Sequence, residues 1–464
     1  MKRKMEKKLL IVAPHLDDEI NLAGEITDQF FDNGYKIVAL FVTNGDFYQR
    51  NTLERHKELR KSMTFLHISD YILLGYCDNY ASPHLFNAID KPLSIRDNSR
   101  TYGVNGKEEY CYEKRKKHSE FLRSNIQRDL TEAIDEQNAE YIICVDYDNH
   151  PDHRMTSILF DEAMRNLIVN REYHPIVLKK FAYLGVWQGD ADYFNPVAQP
   201  TTPTNYYNTS IYNKCMPYSW EDRIAIKVNP NNYSLAFWQS PSFKALNKYK
   251  TQKGGAFFER IVNKDAVYWY RNTNNLALQA VVSASSGDAN LVADFKLIDA
   301  INVTDESLDC NRFANCAWIP DAKDTSKSMT FEFSEKKKIR KIKIHQNFRG
   351  KGHINKLMLS YNGADFHVKC SEQDVQTVEL DNVITEKLII HILEYCGEAG
   401  IREIEIFEDN GSFPWNKTFL ERDEPTVLKR SIMLSRCAEL LYRFYIVYLK
   451  LKNRIMILIG GSHY

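Results

Sequence analysis

A chain of 464 residues exceeds what one ordinary core encloses, so two or three domains are expected. Lys+Arg and Asp+Glu both number 61, so no overall field favours nucleic acid, and 44% hydrophobic content is that of a soluble globular protein. Nine cysteines without a CxxC pair argue against a disulfide framework. Cys310 and Cys316 are near enough in sequence to pair, but a reduced, cytoplasmic compartment is the simpler reading.

Met1–Lys8 is basic, yet the apolar run Leu9–Ala13 is too short for a signal peptide. Lys8–Pro14 reads as a strand, followed by a helix over Glu19–Asn33 closed by Gly34. Tyr35–Thr43 is a second strand, with a charged helix from Asn51 to Leu66, and Tyr71–Tyr76 a third. After a long polar segment, Lys117–Asn138 reads as a helix leading into a fourth strand at Tyr141–Val145. His153–Asn170 is helical and Ile176–Val186 strand-like. Strand–helix alternation with unbroken apolar strands predicts an α/β fold, Rossmann-like, with a mostly parallel sheet covered by helices on both faces. Ligands of such sheets bind beyond the carboxyl ends of the strands.

Gln188–Asn275 is irregular, with one helical stretch at Ser242–Lys250. From Leu276 to Glu408 the pattern changes to short alternating strands at Met329–Phe333, Ile339–His345, Lys356–Ser360, Lys387–Leu393 and Ile401–Phe407. Turns such as Asn362-Gly363 separate them, which predicts an antiparallel β-sandwich. Phe413–Tyr464 is helical in pattern and basic. The expected divisions are 1–275, 276–410 and 411–464.

Both chemical motifs fall at strand ends. The first strand runs into His15-Leu16-Asp17-Asp18-Glu19, and the fourth into Asp148-Asn149-His150-Pro151-Asp152-His153. A polar helix start with Asp as N-cap would by itself explain the first. Two such motifs at strand ends of one sheet point instead to a metal site. Zinc favours imidazole and carboxylate ligands, and a catalytic site needs three plus an open position. His15, Asp18 and His153 supply them; Asp17 and His150 remain for proton transfer and oxyanion stabilisation.

At these residues the sequence resembles the PIG-L/LmbE-type family of zinc-dependent N-acetylglucosaminyl deacetylases. That family pairs a His-Pro-Asp-Asp-Glu motif with a later His-Pro-Asp-His. Gly24, the Thr43-Asn44-Gly45-Asp46 turn, Arg55 and Glu58, and Leu74-Gly75-Tyr76 with Asp78 are similar too. The likeness covers residues 8–187 and reaches towards Asn275. Leu16 replaces the usual proline, and Cys77–Lys116 has no counterpart. The resemblance implies Zn2+ on His15, Asp18 and His153, Asp17 as general base, and a protonated His150 supporting the tetrahedral intermediate. Asp152 would orient a histidine. Arg55 and Asp78 become candidate substrate contacts and Asp46 a pocket residue, although surface ion pairing would explain them as well. His56, His67, His84 and His118 read as ordinary surface or core histidines.

Asn275-Leu276-Ala277-Leu278, Ile298-Asp299, Trp318 and Gly400–Glu405 resemble a discoidin-like, galactose-binding-type sandwich. That likeness implies glycan binding and a structural Ca2+ at Asp299 and Glu403. A module that merely shapes the cleft is the alternative. The tail interleaves Lys429, Arg430, Arg436, Arg443, Lys450, Lys452 and Arg454 with apolar residues. No stretch approaches the ~20 uncharged residues of a spanning helix. Such a helix can lie on an anionic membrane as a peripheral contact, or dock on the protein or a second copy. The expected activity is deacetylation of an N-acetylhexosamine in a glycoconjugate, polysaccharide or glycolipid. Hydrolysis of another acylated small molecule, such as an antibiotic or thiol precursor, and glycan binding by an inactive hydrolase fold are the alternatives. The intact ligand set disfavours the last.

Overall fold

The computed structural model describes residues 3–46, 52–78, 82–95, 97–148, 150–182, 193–202, 220–296, 317–347, 352–371, 375–415 and 419–458. The expected strands appear as β1 (Glu6–Ala13), β2 (Lys36–Thr43), β3 (Ile68–Tyr76), β4 (Ala139–Val145) and β5 (Ile176–Lys180). All five are parallel, and their apolar runs are almost wholly buried. Between them lie α1 (Asp18–Ala23), α2 (Thr27–Asp32), α3 (Thr52–Met63), α4 (Ser82–Asn87), α5 (Tyr110–Arg115), α6 (Arg123–Gln137) and α7 (Pro151–Arg171). Among these five strands the sheet order is β3-β2-β1-β4-β5, so the order in which strands are added switches sides between β1 and β4 and opens a crevice there.

The helix expected over Glu19–Asn33 is two. Ser242 Oγ donates to Gly24 O at 3.0 Å, and the Glu25 carboxylate turns inward onto Lys180. Side chains remote in sequence thus replace helical bonds at the break.

The segment read as irregular adds structure to the sheet. After the two-residue β6 (Val197–Ala198) come β7 (Arg223–Lys227), α8 (Pro241–Leu246) and β8 (Asp265–Asn272). β8 runs antiparallel to β5, and β7 antiparallel to β8.

β9 (Val281–Ala284), β10 (Ser328–Gln346), β11 (Gly352–Tyr361), β12 (Ala364–Lys369), β13 (Val375–Gly397) and β14 (Ile401–Phe407) form the antiparallel sandwich around its own core. Two expected strands fuse into β10, which shifts register against β13 between Glu332 and Lys337 and again after Ile339. Such irregularities let one long strand bend round a core. Asn362 (φ 51°) and Gly363 (φ 77°) make the positive-φ turn expected between β11 and β12.

The tail differs from its expectation. Among the described residues, helix α9 spans Ile432–Leu458. Before it, the chain runs extended over the first domain: Lys227 N–H donates to Glu421 O (3.0 Å), Asp423 N–H to Ala225 O (2.9 Å), and β15 (Leu428–Lys429) pairs with β6. Phe413, Leu420, Ala438 and Tyr442 enter the first domain's core.

Candidate metal centre and its surroundings

The first motif is a backbone device as well as a donor set. Asp17 occupies the N-cap position of α1 but makes no capping bond, so the capping explanation fails. Its φ of 124° is unusual for a residue with a side chain. Glu19 holds that turn: its Oε2 accepts the Asp17 N–H at 2.9 Å, while its Oε1 accepts the Tyr249 hydroxyl at 2.6 Å. Leu16, where proline was expected, is fully buried. Gly45 (φ 65°) lies against it, and a Cβ there would stand 3.1 Å from Leu16 Cδ1 and 3.2 Å from Arg55 Cζ.

The second motif is a helix start. His150 caps α7, its Nδ1 accepting the Asp152 N–H at 3.2 Å. Pro151 has no N–H to leave unsatisfied, and Asp152 suits the positive end of the helix. His153 is thereby fixed one turn in, fully buried.

The two motifs meet around one carboxylate oxygen. Asp18 Oδ2 lies 3.0 Å from His15 Nδ1 and 3.2 Å from His153 Nε2. His15 Nε2 is 2.7 Å from Asp152 Oδ2 and 3.7 Å from Asp78 Oδ1. Potential ligand atoms of His15, His150 and His153, and of His15, Asp78 and Asp152, each fall within 4.8 Å of one another. Asp152 Oδ1 is buried without a hydrogen-bond partner. Clustered imidazoles and carboxylates, with one buried acceptor atom unsatisfied, fit a divalent cation of the zinc type.

Burial alone would lower the pKa of His15, but Asp78, Asp152 and Asp18 hold it well above the usual range. Burial would likewise raise Asp18, which His153 and His15 keep well below the usual carboxylate range. Asp17 is pushed up to about 7 by burial, with Arg55 opposing and Asp18 adding repulsion. His150 falls to about 3, from burial and from the neighbouring His15 and His153. Because its Nδ1 accepts a backbone N–H, a neutral His150 carries its proton on Nε2. With Nδ1 so engaged, His150 turns its Nε2–H donor towards the crevice.

Arg55, Asp78 and Asp46 all reach this crevice, and none is a surface residue. Arg55 Nη1 donates to Gly45 O (3.0 Å) and Asp78 Oδ2 (3.2 Å), its Nη2 donates to Leu16 O (3.0 Å), and Nη2 lies 3.7 Å from Asp17 Oδ1. Asp46 Oδ1 accepts the Asp78 N–H at 2.6 Å, and the Tyr102 hydroxyl bonds Asp46 Oδ2. Arg55 thus clamps three loops together. Of the remaining histidines, His56 is buried, and His67 and His118 pair with Asp28 and Glu109.

Three residues of this network were not singled out from the sequence. Asp148 Oδ2 lies 2.8 Å from His153 Nδ1, Glu19 shapes the Asp17 turn, and Tyr249 reaches in from the segment read as irregular. An acid five residues before the final histidine was a usable signal for Asp148. Tyr249 carried none.

In the sandwich, Glu403 is fully buried with neither carboxylate oxygen hydrogen-bonded. Burial and the nearby Asp294 push its pKa well up, with Arg271 opposing. An unsatisfied buried carboxylate suits an oxygen-seeking cation such as Ca2+. Asp299, its expected partner, lies outside the described residues, as do Cys310 and Cys316.

Residues 10–164 match the family model described as PIG-L: GlcNAc-PI de-N-acetylase. Comparison with curated proteins returned no match. Among solved structures, N,N'-diacetylchitobiose deacetylase from Pyrococcus horikoshii is similar over 37% of this chain and 60% of its own, at 17% identity and TM-score 0.26. A deacetylase triple mutant of the teicoplanin biosynthetic pathway is similar over 57% of this chain and 98% of its own, at 12% identity and TM-score 0.33. The family 32 carbohydrate-binding module of C. perfringens NanJ, solved with galactose, is similar over 28% of this chain and 94% of its own (20% identity, TM-score 0.21). With its paired histidine motifs inside the matched span, the chain carries a PIG-L family deacetylase domain at its N-terminus.

Proposed function

We propose that this protein is a divalent-metal-dependent N-deacetylase, a hydrolase of linear amides, acting on an N-acetylhexosamine unit of a glycoconjugate, polysaccharide or glycolipid. The observation that carries this reading is the convergence of His15, Asp18 and His153 on one oxygen, with Asp17 beside them inside a PIG-L family domain. His15, Asp18 and His153 would hold the ion; the chemistry it supplies when bound is polarisation of the acyl carbonyl and activation of water. Asp17 accepts a proton from the attacking water and returns it to the departing sugar amine. His150 donates its Nε2–H to the oxygen on which charge develops. Asp152 orients His15, and Arg55 with Asp78 forms the wall of the crevice that the substrate would contact.

The sandwich supports the choice of a glycan over a small acylated thiol, with Glu403 and Asp299 as its Ca2+ residues. The test is acetate release from a panel of N-acetylated sugars by protein whose metal content has been measured. Acetate from N-acetylglucosamine substrates, lost on chelation and restored by zinc, is the expected result. Metal-loaded protein that releases nothing from any N-acetylhexosamine, but cleaves another acylated compound, would overturn the substrate assignment.

A further inference from the structure

Helix α9 docks on the first domain by one face only. Ser435, Ala438 and Tyr442 are buried, Tyr442 Oη donates to Gly255 O at 2.8 Å, and the Tyr445 hydroxyl bonds Asn247. Just before the helix, Arg430 donates to Tyr193 O (2.6 Å) and Tyr233 O (2.7 Å), which fixes the angle of entry.

Away from that face the helix is apolar and bare. Met433, Leu440, Phe444, Val447, Leu451 and Ile455 recur at the three-, four- and seven-residue spacings of one helical stripe, each more than half exposed. On the helical wheel one border of the stripe carries Arg436, Arg443, Lys450 and Arg454, all exposed. Five cations and one acid, Glu439, lie in Ile432–Leu458, and Glu439 is paired with Arg443. A chain whose 61 cations balance 61 anions thus concentrates positive charge on this one element.

That pairing of stripe and cations selects the occupant. A second copy laid on the stripe would bring the same cations and no spare acid to meet them. An anionic lipid surface offers acyl chains to the stripe and phosphates to its border. No helix among the described residues is long and apolar enough to cross a membrane, so the geometry is that of a helix lying in the interface. We propose that α9 holds the protein on anionic lipid surfaces, with the Met433–Ile455 stripe among the acyl chains and the Arg436–Arg454 band at the headgroups. The inference does not rest on the proposed reaction, because lipid binding requires no turnover.

The test is co-sedimentation of the full chain with vesicles of phosphatidylcholine containing about 30% phosphatidylglycerol, against phosphatidylcholine alone. Binding is expected to the anionic vesicles, with weakening at high salt because the headgroup attraction is screened. Leu440→Asp/Phe444→Asp/Leu451→Asp should lower partitioning roughly tenfold or more, and Arg436→Ala/Lys450→Ala/Arg454→Ala should remove the preference for anionic lipid. Neither variant touches the crevice, so acetate release from a soluble sugar should persist. Unchanged binding by the aspartate variant, or no binding by the wild type, would overturn the proposal. So would light scattering that shows a dimer dissolved by the aspartate substitutions, which would make a second copy the occupant.

Discussion

Asp148 positions both histidines of the second motif through one carboxylate. Its Oδ2 lies 2.8 Å from His153 Nδ1 and accepts the Ala182 N–H at 3.2 Å, while its Oδ1 accepts the His150 N–H at 2.9 Å. A carboxylate on the far nitrogen of a ligating imidazole fixes the ring and raises its basicity. Asp148→Asn should therefore weaken metal binding by about 10–100-fold, measured by competition with a chelator, while circular dichroism stays native. Wild-type affinity in this variant would remove Asp148 from the site.

Asp17 is the residue whose loss should separate binding from chemistry. Its backbone is held by Glu19 and its carboxylate lies beside Arg55, so Asp17→Asn should keep the turn. The variant is expected to retain stoichiometric metal and lose turnover on the order of 10²–10⁴-fold, as for a general base. In contrast, His15→Ala with His153→Ala should abolish metal binding. Near-normal acetate release by Asp17→Asn would mean that another group carries the proton.

The parts of this site written in the sequence are those set by local spacing. His15 with Asp18, and His150 with His153, are each three residues apart in the segment that follows a strand, and the sheet's switch point brings the two pairs together. Arg55 on its charged helix and Asp78 just beyond a strand end were legible as polar residues, but not as buried clamps, because burial depends on loops packed from elsewhere. The break at Gly24 depends on Ser242, and the Asp17 turn on Tyr249 through Glu19. Contacts more than 200 residues apart leave no periodicity to read. β8 was different: Val267–Tyr270 is rich in strand-forming residues, yet its Asn-rich flanks masked it.

His56 gives the fold a measurable acid sensitivity. It is buried on α3, its Nε2 lies 3.2 Å from Asn44 O, and burial lowers its pKa to about 4. Between that value and about 6.5 the unfolded chain binds a proton that the folded chain refuses. Stability should therefore rise with pH across this window and fall on acidification, by a few kcal/mol at most for this group. His56→Gln retains a donor for Asn44 O without the titration. In urea unfolding, its stability should change less from pH 6.5 to 4.5 than that of the wild type; an identical slope would exclude His56 as the source.

Glu403 predicts a calcium response located in the sandwich. Fully buried, repelled by Asp294 and Glu405 and only partly offset by Arg271, the carboxylate is costly as an anion, and a bound cation would relieve that cost. Calcium at about 100 times its dissociation constant would add roughly 2.7 kcal/mol to the bound domain. The melting temperature should therefore rise by several degrees with calcium but not with an equal concentration of sodium. Glu403→Gln should abolish that increment while stabilising the calcium-free protein. A calcium shift that survives the substitution would place the ion elsewhere.

The division of labour between domains can be tested only with a deletion that respects the tail. The residues assigned to the crevice come from the ends of β1, β2, β3 and β4, from α3 and α7, and from Tyr249; none comes from the sandwich. The sandwich instead meets β8, where Arg271 Nη1 lies 3.5 Å from Glu405 and Asn275 exchanges bonds with Ile404 and Ile406. A chain ending at Asn275 would also lose Tyr442 from the core and Phe419, which sits edge-on to Phe30 at 4.9 Å. Removing a buried aromatic side chain costs about 3–5 kcal/mol, so that truncation should aggregate whatever the sandwich does. Excising 276–410 and joining the flanks through a short flexible linker is the informative deletion, because Asn275 Oδ1 is 2.8 Å from Ile406 N, five residues before the second cut. If the sandwich recruits glycan, this protein should deacetylate a small soluble sugar at the full-length rate. It should lose efficiency on polymeric substrate through lowered effective concentration. A soluble, folded deletion equally impaired on both substrates would show that the sandwich completes the crevice, and the recruitment reading would fail.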